Sequence, residues 1–234
     1  MTSADPRFAE LATEHGLSAT TVEALRCLLG VVAADDTAPT AVRDPERAVD
    51  VHIADSLSGL DAVGGAATIA DLGAGAGFPG LALAAALPES RVALVESAGK
   101  KCAFMERAIA AAGLANARVV CARAEEWRDG VGANDVVTAR ALAPLAVIAE
   151  YAAPLLRVGG TLVAWKGAVE TAEALDAAAA GQALGLVGSS PVPVVPYRGS
   201  ERRSLHLYSK VAETPPRYPR RAGMAVKRPL RADA

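Results

Sequence analysis

From Ala66 onward the chain keeps one rhythm: the short apolar runs TIADLG, RVALVE, ARVVCA, DVVTAR and GTLVAW, separated by Ala/Leu-rich stretches long enough for helices. Strands joined by helical crossovers pair in parallel, because a tight hairpin can only join antiparallel neighbours. The alternation therefore predicts an α/β domain with a doubly wound, mostly parallel, seven-stranded Rossmann-like sheet. After a helix near 168–180, the runs VPVVPY and SLHLYSK stand too close for a crossover and are expected to form an antiparallel pair at the sheet edge. Before Ala66, apolar residues at helical spacing (Leu11, Val22, Leu25, Leu28, Leu29; then Val49, Ile53, Leu57, Leu60) predict a helical N-terminal cap, interrupted at Pro39 and Pro45. We divide the chain into a cap at 1–61, part of the same domain, a core at 62–213 and a basic C-terminal arm at 214–234, expected to be extended or loosely held.

Composition narrows the class. At 52% hydrophobic and 21% charged residues, the chain can bury a core and is not disordered. No apolar run approaches the roughly 18 residues of a membrane span, and MTSADPRFAE is not a secretory leader, so a cytoplasmic protein without membrane contact is expected. Cys27, Cys102 and Cys121 show neither disulfide nor zinc spacing, and we read them as small core residues with no metal site. The net charge of −2 hides an asymmetry. Residues 197–234 carry ten Lys/Arg against three Asp/Glu, while the rest carries 14 against 23, the pattern of an acidic body with a basic arm that approaches phosphate.

The chemistry-bearing segment is IADLGAGAGFPGL, which leaves the first strand and opens a helix. Gly73, Gly75 and Gly77 permit a tight turn that brings backbone N–H groups close to a ligand. Glu96 ends the second strand, where a carboxylate can accept hydrogen bonds from both ribose hydroxyls of an adenosine. These residues suit either a dinucleotide or S-adenosylmethionine, and Gly75, Gly77 and Gly80 also spell GxGxxG. Asp71, expected to meet a cationic ammonium group, and RAEEW after the third strand, expected beside an adenine, favour S-adenosylmethionine. Arg140 and Lys166 end the fourth and fifth strands at the carboxyl edge, where open α/β sheets bind ligands. His52 lies on an apolar helical face and reads as structural.

These residues resemble the 16S rRNA guanine-N7 methyltransferases, the glucose-inhibited division protein B family, over nearly the whole chain. The resemblance is carried by VRDPERAVDVHIADSL, DLGAGAGFPGL, VESAGKKCAFM, RAEEW, TARA, WKG, ERRSLHLY and PRRAGMAVKRPL. It implies a class I methyltransferase fold and S-adenosylmethionine held by Gly73, Phe78, Ala124, Glu125 and Arg140, with Glu96 at the ribose. It further implies 16S rRNA or the small ribosomal subunit as partner, with no obligate protein partner. Arg123, Lys166, Arg220, Arg221 and Lys227 are the candidate RNA contacts, and no catalytic residue is assigned. This chain departs from the family at Ala38–Ala41 and Gly223–Ala225, in the ends expected to face RNA. Two other readings stay open: an NAD(P)-dependent oxidoreductase, although none of the four tyrosines begins a Tyr-x-x-x-Lys, and a non-catalytic RNA-binding protein of the same fold.

Overall fold

A computed structural model describes residues 5–232. Helices α1 (Asp5–His15) and α2 (Ala19–Ala34) open the chain. The Ser18 hydroxyl caps α2 by accepting from the Thr21 N–H at 3.0 Å. Leu25, Leu28 and Val32, at helical spacing, are buried on one face of α2. Asp44 caps α3 (Pro45–Ala48), with Pro45 in its first turn. The helical path continues through a π-turn (Val49–Ala54) into α4 (Asp55–Leu57), followed by α5 (Leu60–Val63).

The core then runs β1 (Thr68–Leu72), α6 (Gly80–Ala86), β2 (Arg91–Glu96), α7 (Gly99–Ala112), β3 (Ala117–Cys121), β4 (Asn134–Arg140), α8 (Leu145–Ala152), β5 (Leu156–Lys166) and α9 (Thr171–Leu184). It closes with β6 (Leu186–Gly188), β7 (Val192–Val194), β8 (Arg203–Lys210) and the short α10 (Met224–Lys227). Strand order is β3-β2-β1-β4-β5-β8-β6, with β1 to β5 parallel and β8 antiparallel to β5. The order reverses beside β1, which leaves a crevice at its carboxyl end.

Among the described residues the expected seven strands become eight, because the edge strand is broken. Leu186–Gly188 pairs with Lys210–Tyr208, and Val192–Val194 pairs with Leu205–Arg203, so β6 and β7 share one side of β8. Three-residue β6 follows α9 directly and was too short to be seen in the apolar pattern.

Two apolar layers flank the sheet. One joins Phe8, Leu11, Leu25 and Ile53 of the N-terminal helices to Ile69, Val92, Phe104 and Trp165, and the other joins α8 and α9 to Ala70, Val137 and Leu162. The first helices thus share a core with the sheet. Trp165 fastens them further: its indole N–H donates to the Asp55 carbonyl at 2.8 Å, and a Cβ on Gly59 would overlap the ring.

Two expectations need correction. Only Cys102 of the three cysteines is buried. Cys27 is half-buried, and Cys121 is exposed because β3 is the open edge of the sheet. The arm is not loosely held: Tyr218 and Leu230 pack against the α8–α9 layer, and the Ala232 N–H donates to Asp176 at 2.9 Å. Among the described residues, no helix is long and apolar enough to cross a membrane, and no cluster of His, Cys, Asp and Glu could hold a metal ion.

Candidate functional site

The glycine loop turns at the carboxyl end of β1. Gly73 and Gly77 adopt φ of 62° and 92°, and a Cβ would overlap Leu142 at the first and Leu81 at the second. Only glycine fits such positions without strain. The loop is tied to β2 through Glu96, whose Oε2 accepts from the Gly75 N–H at 3.2 Å and whose Oε1 accepts from the Ala98 N–H at 2.9 Å. Lys101 Nζ lies 3.6 Å from the same carboxylate.

Beside this junction is a cavity of about 300 Å³, lined among others by Gly73, Glu96, Lys101, Arg123, Glu125 and Tyr151. Ala124 lines it as well. It brings together four of the eight expected cofactor residues, Gly73, Glu96, Ala124 and Glu125, and one expected RNA contact, Arg123, whereas Gly75, Gly77, Phe78 and Arg140 do not line it. Lys101 and Tyr151 were missed. Lys101 sits inside a helical pattern where only its neighbour Glu96 stood out, and Tyr151 lies on α8, which carried no motif.

Phe78 and Arg140 contact the helical segment before β1 instead. Phe78 stacks on His52, with ring centroids 4.9 Å apart and an interplanar angle of 15°. His52 Nε2 pairs with the Thr40 hydroxyl at 3.2 Å. Burial, together with the charge of Arg140, lowers the His52 pKa to about 4. The ring is therefore neutral near pH 7. Arg140 Nη1 donates to Asp55 at 2.8 Å and to the Val51 carbonyl at 3.0 Å. Asp55 is wholly buried, and Arg203 Nε approaches its other oxygen at 3.3 Å. One carboxylate thus balances two guanidinium groups at the ends of β4 and β8. Asp55 was also missed, although HIADSL placed an acidic residue inside an apolar run.

Asp71 does not do what the sequence suggested. Its Oδ2 accepts from the Gly80 N–H at 2.9 Å and its Oδ1 from the Thr138 hydroxyl at 2.8 Å. It is wholly buried and ties the start of α6 to β4, so it is not offered to a ligand ammonium. Burial raises its pKa to about 6 despite these bonds.

The expected RNA residues divide. Lys166 Nζ lies 2.7 Å from Glu173, and Arg220 makes an ion pair at 2.5 Å with Glu150, which is 1% exposed. Charges compensated in this way hold the fold rather than present themselves to phosphate. Arg123, Arg221 and Lys227 are exposed. The arm crosses beside the cavity, since the Gly223 N–H donates to Glu125 at 2.9 Å.

Residues 34–196 match the family model GidB, described as rRNA small subunit methyltransferase G. A Ribosomal RNA small subunit methyltransferase G of Rubrobacter xylanophilus is 45% identical over 197 residues, covering 81% of this chain and 76% of that protein. The protein of the same name from Roseiflexus castenholzii is 43% identical, covering 82% and 83%. Among solved structures, a SAM-dependent methyltransferase from Aquifex aeolicus superposes with a TM-score of 0.55 at 15% identity, covering 72% of this chain and 94% of that one. That likeness concerns the fold, which is the class I methyltransferase fold. The chain belongs to the family of rRNA small subunit methyltransferase G.

Proposed function

We propose that this protein transfers the methyl group of S-adenosylmethionine to N7 of a guanine in 16S rRNA, and that it works in the cytoplasm, where small subunits are assembled. The observation that carries the reading is the family match across residues 34–196, which spans the glycine loop, Glu96, the RAEEW segment and Arg140.

The residues present fit this cofactor. A cradle closed to any Cβ at Gly73, a carboxylate at the end of β2 and the Ala124–Glu125 turn line one cavity, an arrangement suited to an adenosine. Glu96 would accept from the ribose hydroxyls, and Ala124 and Glu125 would flank the adenine. Phe78 and Arg140 would hold the end that carries the sulfonium. When bound, the cofactor supplies an activated methyl group on a cationic sulfur.

The chain's own task is then positioning. Guanine N7 carries a lone pair and no proton, so no general base has to act before attack, and alignment of the reacting atoms supplies the rate. Neutral His52 and the Asp55-bound Arg140 form a fixed wall that does not change charge near pH 7. Arg123, Arg221 and Lys227 are the exposed cations that would meet RNA phosphates. Calorimetric titration with S-adenosylmethionine and with NAD, followed by transfer of labelled methyl to small subunits and to free 16S rRNA, tests the reading. Binding of NAD alone, or no transfer to any RNA, refutes it.

A further inference from the structure

Two cysteines flank the backbone of Glu96, the residue whose carboxylate is proposed to hold the ribose. Cys102 on α7 is buried, and its Sγ donates to the Glu96 carbonyl at 3.2 Å. Cys121, the last residue of β3, pairs with Glu96 across the parallel strands. Side chains alternate along a strand. Ala117 and Val119 face the layer that contains α7, whereas Val120 faces the opposite layer, so Cys121 also points toward α7. Cys121 is exposed, and both residues are free thiols. The next residues, Ala122 to Glu125, line the cavity.

From this arrangement we propose that Cys102 and Cys121 form an oxidisable pair, which hydrogen peroxide converts to a disulfide that weakens cofactor binding. The second half of the proposal rests on the S-adenosylmethionine reading above, while the first half does not.

The exposed Cys121 sulfur takes an oxygen from the peroxide, giving a sulfenic acid and one water. The Cys102 sulfur then forms the S–S bond as hydroxide leaves, and the Cys102 proton departs with that hydroxide as a second water. Two thiols lose two electrons and one peroxide gains them. Burial pushes the Cys102 pKa up to about 12, and the neighbouring Cys121 thiol adds to the shift. Cys102 therefore keeps its proton near pH 7, which makes bond closure the slower step.

The consequence for the cavity follows from what is lost and what is moved. A disulfide sulfur carries no hydrogen, so the Glu96 carbonyl loses its donor. Bonding also draws the sulfurs to about 2.05 Å, pulling the start of the Ala122–Glu125 turn toward α7.

The test uses the full chain, treated with peroxide or left reduced. Intact mass should fall by the two hydrogens of one disulfide, and digestion without reductant should yield a peptide linking residues 102 and 121. Cys27→Ser should keep that link and Cys121→Ser should lose it. Affinity for S-adenosylmethionine should fall about tenfold on oxidation and return with dithiothreitol, a change well resolved by calorimetry. Oxygen retained on Cys121 with no link, or a link through Cys27, overturns the pair. Unchanged affinity in the linked protein overturns its effect on the cofactor. If reduced protein binds no S-adenosylmethionine either, the cofactor reading fails while the peptide map still decides the disulfide.

Discussion

Replacing Asp55 by Asn should destabilise the protein by about 3 kcal/mol, because it strands a buried cation. Asp55 is 0% exposed and the Arg140 side chain 11%, whereas the Arg203 side chain, at 28%, keeps access to water. Removing one partner of a buried pair costs about 3–5 kcal/mol, most of it the desolvation of the charge left behind. Arg203 can rehydrate, and the neutral amide of the variant is cheaper to bury than a carboxylate, which places the expectation near the lower bound. Urea unfolding followed by circular dichroism should show the midpoint falling by about 1 M or more with an unchanged slope. The paired replacement Asp55→Leu with Arg140→Met removes both charges and should lose less than the single variant. A loss below about 1 kcal/mol in Asp55→Asn, or a double variant less stable than the single one, would show that the pair is not a desolvated ion pair and that this reasoning is wrong.

Three further outcomes follow. The His52 pKa is depressed from 6.5 to about 4, so its contribution is present above pH 6.5 and lost as pH falls through 4, by up to about 3 kcal/mol. Compared at pH 7 and pH 4, unfolding free energies should fall more steeply in the parent than in His52→Gln, and parallel profiles would contradict the assignment. Glu96→Gln should weaken S-adenosylmethionine binding about tenfold or more in calorimetry, since a neutral amide is a poorer acceptor for two hydroxyls and for the Gly75 and Ala98 N–H groups. Gly59→Ala should lower stability by about 1–3 kcal/mol in the same urea assay, because the new methyl group overlaps Trp165.

Much of the sheet was legible because short continuous apolar runs, the mark of strands buried on both faces, alternate with Ala/Leu-rich helical stretches from Thr68 to Leu184. Glu96 and the Ala124–Glu125 turn were legible for a related reason: residues at the ends of parallel strands converge on one edge. What the pattern did not reveal are partners distant along the chain. Asp55, Arg140 and Arg203 meet only when α4, β4 and β8 come together, and no local spacing announces such a triad. Asp71 was misread for the same reason, since a carboxylate before a glycine loop looks the same whether it faces a ligand or Thr138 on the next strand. The arm looked loose because Pro and Arg dominate it. Its anchor, Glu150, lies hidden in the apolar helix LAVIAEYA.

That anchor orders events during synthesis. Glu150 sits in a helix whose other buried residues are apolar, and its counter-charge, Arg220, is made 70 residues later. Until Arg220 emerges, a carboxylate that ends 1% exposed has no cation to accompany it inside, and seating α8 against the sheet carries the cost of burying an unpaired charge. The wall of the cavity formed by Tyr151 and by Glu125 under Gly223 therefore sets late. A chain cut between Tyr151 and Arg220 would retain every glycine and carboxylate of the site but lack the cation that accompanies Glu150 into the core.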